Sequence, residues 1–206
     1  MVTMTLSPPV SYPALVKPQK PMKRLTFLIG ILFNTMLAIS QTTNFYETTK
    51  TFHENGYTYQ CDVDPSGFVT LYNKNNKWTY VPPMKKGSNV PFYVTPENFQ
   101  PLLEEDKDIK NFKQMRKTYI EIINNAFREY KGKMKGWKLS ITTCTNSDTG
   151  KVEEVYFRFT THTPFAQVPV SVYREIETKI VGYKRTPTEL GKSLNYICGF
   201  YHFEVE

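Results

Sequence analysis

The chain has 206 residues, 40% of them hydrophobic and 15% aromatic, so it contains enough apolar material for one domain with a real core. No segment repeats at a fixed period, which excludes repeat architectures. The formal net charge is +7, but residues 1–40 contain four of the basic residues and no acidic residue. The remaining 22 basic and 19 acidic side chains give a net charge of about +3 without a recognition motif, which argues against a nucleic-acid partner.

Residues 22–40, MKRLTFLIGILFNTMLAIS, have the composition of a secretory signal peptide. Two basic residues precede an apolar run that is shorter than the ~20 residues a membrane span needs. Small residues stand at the positions that signal peptidase reads before Gln41. We therefore expect cleavage after Ser40, with an uncleaved anchor as the alternative. This predicts an exported protein of the bacterial periplasm or cell surface, without a stable membrane span after cleavage.

Residues 1–21 precede this segment and are rich in proline, with no apolar periodicity. Such composition predicts a disordered extension. The alternative is that Met22 is the true start and that the preceding residues are not translated.

Residues 41–94 are predicted to form an antiparallel β-meander. Short runs rich in aromatic and β-branched residues are separated by turn signals such as Asp64-Pro65-Ser66-Gly67. The four runs are 45–52, 57–63, 68–72 and 77–81.

Residues 95–206 are predicted to contain a helix followed by a ββαβ unit, packed with the meander as one compact unit. Thr95 and Pro96 form a helix start. The clearer helix spans about residues 109–130, because apolar residues recur there at three- and four-residue spacing on one face.

The rest of the second region alternates between strand and helix patterns. A hairpin is predicted from strands near 137–142 and 155–159, which flank the turn at 146–150. A helix over 170–181 and a final strand over 193–205 follow. The predicted fold class is therefore α+β, with an N-terminal meander, a long amphipathic helix and a C-terminal ββαβ unit.

From residue 109 this order of elements resembles the C-terminal domain of TonB-type energy transducers. Residues 137–159 match its hairpin, with DTGKVEEV at 148–155 in place of its "D-G-K-V-x-x-V" turn, while 172–180 and 183–205 match its second helix and its final strand. A cleavable leader and the lack of a long Pro-rich spacer depart from a working transducer, so the resemblance implies a fold and not energy transduction. The whole chain also looks like an uncharacterised family of small exported bacterial proteins.

The resemblance has one consequence for the three cysteines. In that domain the final strand lies antiparallel beside the first hairpin strand, which implies that Cys144 lies near Cys198. Neighbouring strands provide the Cα separation of roughly 4.4–6.8 Å that a disulfide needs. The resemblance thus implies a Cys144–Cys198 disulfide with Cys61 free. The alternative is three reduced and mostly buried thiols.

No sequence motif indicates catalytic, cofactor-binding or metal-binding residues. His53, His162 and His202 are far apart and belong to no HxH, HxxxH or CxxC pattern. Gly-x-Ser-x-Gly and glycine-rich phosphate loops do not occur. We therefore predict no cofactor.

Aromatic residues of the predicted meander are candidates for a platform that binds sugar or peptide ligands, with core packing as the alternative. They are Tyr57, Tyr59, Tyr72, Trp78 and Tyr80. The predicted function is a non-enzymatic binding module of the cell envelope whose exposed sheet edge recruits an extended peptide of an envelope protein by strand addition. The alternative function is an envelope hydrolase acting on a cell-wall or glycan substrate, which requires convergent acids or a Cys/His pair in one pocket.

Overall fold

A six-stranded antiparallel sheet is the centre of the computed structural model, which describes residues 43–95 and 100–205. The strands lie across the sheet in the order β1-β2-β3-β5-β4-β6. In chain order they are β1 (Lys50–Glu54), β2 (Tyr57–Val63), β3 (Phe68–Asn73), β4 (Lys138–Asn146), β5 (Val152–Thr160) and β6 (Tyr196–Glu204). The predicted extension at 1–21 and the predicted signal peptide at 22–40 lie outside the described residues.

Helices connect the strands and pack against the sheet. They are α1 (Ile109–Ala126), α2 (Lys131–Met134), α3 (Val170–Ile180) and α4 (Glu189–Lys192), with 3-10 turns at Glu104–Lys107 and Pro164–Gln167. Asp108 caps α1 by accepting the backbone N–H of Lys110 at 2.8 Å. Within the described part of the chain, no helix combines the length and the apolar composition needed to cross a bilayer.

The core lies between one face of the sheet and the long helices α1 and α3. Tyr173 of α3 is fully buried there and stacks on Phe159 of β5, with ring centroids 5.4 Å apart. Its hydroxyl donates to the carbonyl of Phe165 at 2.7 Å, so the polar end of the ring is also satisfied. Burial of such a side chain contributes about 2–3 kcal/mol. The sheet face on this side is called the helix face below.

The predicted α+β class is confirmed, and both predicted regions contribute to the same sheet. Strands β1, β2 and β3 form an antiparallel meander. Strand β3 then pairs with β5 of the predicted ββαβ unit, for example Leu71 with Phe157. The described residues of Thr43–Glu206 accordingly form one compact unit.

The fourth predicted run, residues 77–81, is not a strand. The strand beside β3 is β5, so the position that the next strand of a meander would take is already filled. Its first two N–H groups are bound by the Glu154 carboxylate and not by a neighbouring strand. The prediction of a strand at 77–81 is therefore wrong, although its aromatic residues are anchored on the sheet.

The predicted helix over 109–130 ends earlier, at Ala126, and residues 127–130 form turns, with the Phe127 ring buried against Phe165 and Tyr173. Residues 96–97 of the predicted helix start at Thr95 lie outside the described residues.

Candidate ligand-binding site

The second face of the sheet is opposite the helices and is called the outer face. Successive side chains of a strand point to opposite faces. On β5, Phe157 and Phe159 therefore belong to the core on the helix face, whereas Tyr156 and Arg158 point to the outer face. Strand register extends the row of Tyr156 to Tyr72 on one side and, through Thr142, to Phe200 on the other. The outer face thus has an aromatic row of its own.

Residues 74–95, the outer segment, cross this face without forming a strand. The two carboxylate oxygens of Glu154 accept the backbone N–H groups of Lys77 and Trp78 at 2.6 and 3.0 Å. The Trp78 ring stacks on Tyr196, with centroids 4.6 Å apart and planes at 22°. The Tyr196 hydroxyl also donates to the carbonyl of Val81. These contacts attach the segment to β5 and β6.

A cavity of about 630 Å³, the aromatic cavity, lies between the outer segment and the sheet. This is within the size range of small-ligand sites, roughly 300–1,000 Å³. The side chains of Tyr93, Phe200 and Tyr80 line it and are 66%, 63% and 61% exposed. Large exposed rings grouped around one cavity are typical of a binding site.

Arg158 is the charged side chain among the described residues that line the aromatic cavity. Its guanidinium lies over the Tyr156 ring, with 5.4 Å from Cζ to the centroid. Its buried Nε has no hydrogen-bond partner among the described residues. No described carboxylate forms an ion pair with it. The cavity therefore offers a cation that is available to an anionic ligand.

Asp62 lies on the same face, and its carboxylate is hydrogen-bonded by two tyrosine hydroxyls. Tyr80 and Tyr72 both donate their hydroxyls to Asp62 Oδ2, at 2.7 and 2.9 Å. Burial and these bonds to Asp62 raise the pKa of Tyr80 to about 12 and raise that of Tyr72 as well. Both hydroxyls consequently remain protonated donors at neutral pH.

The five aromatic residues of the predicted platform lie on two different faces. Tyr59 is fully buried on the helix face, where its ring contacts that of Tyr57. Tyr72, Trp78 and Tyr80 lie on the outer face, and of the five only Tyr80 lines the aromatic cavity.

The sequence motifs did not identify Tyr156, Arg158 and Phe200 as site residues, although the pattern of their strands indicates that both sheet faces are covered. They alternate with buried residues of the helix face on β5 and β6. An apolar or aromatic residue on both faces of a strand indicates that both faces are covered or functional.

Cys144 and Cys198 are direct register partners on β4 and β6, and both belong to the cluster on the outer face. All three cysteines are free thiols in the structure. Cys61 belongs to the core of the helix face, where burial raises its pKa to about 12. The disulfide stays a prediction.

The hydrolase alternative requires two acids in one pocket, and a polar cleft of about 480 Å³ has acidic residues in its lining. Glu154 and Glu177 both line it, and burial raises the pKa of each, that of Glu177 to about 7. Both oxygens of Glu154 are bound by backbone N–H groups. Glu177 accepts bonds from Tyr59, from Asn73 at 3.2 Å and from Arg174 at 2.8 Å. Both acids thus have structural partners.

His202 lies on β6 with Cys198 but does not form a catalytic pair with it. His202 is bonded to Ser140, 2.8 Å from Nδ1 to Oγ. It is four residues from Cys198 on the same strand, or about 13 Å, which is too far for a dyad. Among the described residues, no group of three or more His, Cys, Asp or Glu is placed to bind a metal ion.

Comparisons with known proteins give one family. Residues 42–201 match the sequence profile of DUF5043, a domain of unknown function. The crystal structure of a DUF5043 family protein from Bacteroides uniformis ATCC 8492 is 37% identical, covers 79% of this chain and 95% of its own, and superposes with a TM-score of 0.70. No curated protein matches the chain.

Neither match is described as a TonB-type domain, so that resemblance of the C-terminal half stays a prediction. The match to the profile spans well over half of the chain. The protein therefore belongs to the DUF5043 family of uncharacterised proteins.

Proposed function

We propose that the protein is a non-enzymatic binding module of the bacterial cell envelope and that it binds an acidic carbohydrate in the aromatic cavity. The observation that carries this proposal is the guanidinium of Arg158, which has no ion-pair partner among the described residues and lies within a group of aromatic rings. The signal-peptide pattern of residues 22–40 supports the envelope location.

The chemistry of the cavity favours a ligand with both a ring face and a carboxylate. Aromatic side chains offer flat apolar surfaces, against which the C–H faces of a sugar can pack. A planar guanidinium matches a carboxylate with two parallel hydrogen bonds. A uronic acid combines the two features, so oligosaccharides that contain uronic acids are the ligand class that we propose.

Calorimetric titration of uronic-acid oligosaccharides against neutral oligosaccharides of the same length tests this function. We expect Arg158→Gln to weaken binding of the acidic ligand by about tenfold or more, since a hydrogen bond to a charged group contributes about 1.5–3 kcal/mol. Arg128→Gln is the matched control, because Arg128 is exposed and does not line the cavity. Failure of the unmodified protein to bind any acidic oligosaccharide would overturn the proposal.

Strand addition is the second candidate function, and one feature of β6 favours it. β6 is a nine-residue edge strand, and four of its residues line a largely apolar cavity of about 530 Å³, the edge cavity: Ile197, Cys198, Gly199 and Tyr201. An extended peptide of an envelope protein would pair with the free side of β6 and place side chains in this cavity. Capture of an envelope peptide that is lost on substitution of His202 by proline, with binding of acidic sugars unchanged, would identify this mode, because the backbone of His202 faces the free side of β6.

A further inference from the structure

We propose that Cys144 and Cys198 are a redox-active dithiol that converts to a cross-strand disulfide by exchange with an external disulfide, with Cys198 as the attacking thiol. This inference does not depend on the ligand proposed above.

The pairing of β4 with β6 places the two side chains at the shortest distance that a sheet provides. In an antiparallel ladder, directly opposed residues alternate between hydrogen-bonded pairs and closer non-hydrogen-bonded pairs. The carbonyl of His202 accepts a bond from Arg116 at 3.0 Å, so it points away from β4. Cys198 lies four residues earlier on the same strand and has the same orientation. Cys144 and Cys198 are therefore a non-hydrogen-bonded pair, with a Cα separation of about 4.5 Å, within the range for a disulfide.

The two thiols differ in how an external reagent reaches them. Cys144 is 1% exposed and is covered by Tyr156 and Tyr196. Cys198 is half-buried and lines both the aromatic cavity and the edge cavity. A small disulfide reaches Cys198 through either cavity, whereas Cys144 is reached only through its partner.

The electrostatics of the pair favour the same order of events. A hydrogen bond with Cys144 lowers the pKa of Cys198, and the positive charge of Arg158 lowers it further. The same contact raises the pKa of Cys144. The thiolate is the nucleophile in exchange, so Cys198 attacks first and Cys144 resolves the intermediate.

The exchange balances with a low-molecular-weight disulfide such as oxidised glutathione. The Cys198 thiolate bonds to one sulfur of the reagent and releases the other half as a thiolate. The Cys144 thiol gives its proton to that thiolate and attacks the Cys198 sulfur, which releases the second half. The protein loses two electrons and two protons and gains one S–S bond, while the reagent becomes two thiols.

Cys61 does not compete in this reaction. It lies on the opposite face of the sheet, on β2, separated from β4 by β3 and β5. At about 4.8 Å per strand this is about 14 Å, beyond the reach of a disulfide.

The test incubates the full-length protein in glutathione buffers of graded redox poise, blocks free thiols with an alkylating reagent in denaturant, which exposes the buried Cys61, and maps the peptides without reduction. We expect a Cys144–Cys198 link in oxidising buffer, its loss in reducing buffer, and an alkylated Cys61 throughout. In a separate experiment on the folded, reduced protein, we expect Cys198 to be alkylated at least about tenfold faster than Cys144.

Two variants identify the attacking thiol. Cys144→Ala is expected to hold glutathione as a mixed disulfide on Cys198, whereas Cys198→Ala is expected to leave Cys144 unmodified. Cys61→Ala is the control and should still form the link. The proposal is overturned if either cysteine links to Cys61, if both remain free in excess oxidised glutathione, or if Cys144 takes the mixed disulfide.

Discussion

The carboxylate of Glu154 accepts the backbone N–H of Trp78 at 3.0 Å, across 76 residues of sequence. The other oxygen of the same carboxylate accepts the N–H of Lys77 at 2.6 Å. One side chain of β5 therefore holds the start of the outer segment, which covers the aromatic cavity.

Replacing Glu154 by glutamine tests this attachment. The side-chain NH2 group of glutamine would face one of the two backbone N–H groups, so one partly buried N–H loses its acceptor. We expect a loss of about 2–3 kcal/mol in the free energy of unfolding, measured in guanidinium chloride. Cleavage of the outer segment by a protease should also become faster.

Glu153→Gln is the control for that change. Glu153 is the exposed neighbour and accepts a bond from the Asn146 side chain at 2.8 Å. We expect a change within about 0.5 kcal/mol. An equal loss in both variants would mean that the Glu154 carboxylate does not anchor the segment.

The buried cation Arg185 provides a second test. Its side chain is fully buried and donates to the Tyr201 hydroxyl at 2.5 Å and to Asp106 at 3.3 Å. Asp106→Asn removes the ion-pair partner of this buried guanidinium, and leaving a buried charge without its partner is costly. We expect a loss of about 2–4 kcal/mol in the free energy of unfolding.

The exposed ion pair between Lys86 and Asp148 is the matched comparison. Its atoms are 2.6 Å apart, but the side chains are 41% and 74% exposed. We expect Asp148→Asn to cost less than about 1 kcal/mol, since solvent screens such a pair. Similar costs for the two aspartate substitutions would show that Arg185 does not need the charge of Asp106.

Local patterns in the sequence were sufficient for most of the regular elements. Alternation located β4 and β5, and apolar spacing located α1, because these signals come from residues a few positions apart. The end of α1 was not predictable in the same way. Neither glycine nor proline occurs between residues 109 and 131 to mark the end, and the apolar spacing continues past Ala126.

The candidate site was harder to predict from the sequence, because contacts between residues far apart in the chain form it. The run at 77–81 has strand composition, yet Glu154 binds its first N–H groups. Tyr59 and Tyr72 both have ring side chains on adjacent strands, but register places them on opposite faces. Only the pairing of the strands determines which rings lie next to Arg158.

Gly150 lies where two chain segments approach closely. Its φ is +69°, and its carbonyl accepts the N–H of Arg185 at 2.7 Å. A Cβ at this position would overlap the Arg185 carbonyl oxygen. Gly182 also has a positive φ, +88°, but open space surrounds its Cβ position.

Substituting each of these two glycines by alanine distinguishes the cost of backbone strain from the cost of steric overlap at the Cβ position. The left-handed conformation costs about 1–2 kcal/mol for an alanine, and this applies to both positions. We expect Gly182→Ala to lose about that amount and Gly150→Ala to lose at least about 2 kcal/mol more in denaturant unfolding. Equal losses in the two variants would mean that the backbone at Arg185 moves away from residue 150 without a loss of stability.

Glu177 should make stability depend on pH. Burial raises its pKa from the ordinary value of 4.5 to about 7 in the folded protein. Between these two values the folded state holds a proton that the unfolded state releases. The contribution of this group to stability is therefore present below about pH 4.5 and is lost as pH rises through about 7. The total loss is at most about 3.5 kcal/mol, since one pKa unit corresponds to about 1.4 kcal/mol.

Glu177→Gln should remove most of this slope, because glutamine keeps the shape of the side chain and does not titrate. The measurement is the free energy of unfolding by urea at a series of pH values from about 4.5 to 8. Glu175→Gln is the control on the same helix, since Glu175 forms an exposed pair with Lys179. Its profile should follow that of the unmodified protein. A slope that persists in Glu177→Gln would assign the titration to another group, such as Glu154, whose pKa is also raised by burial.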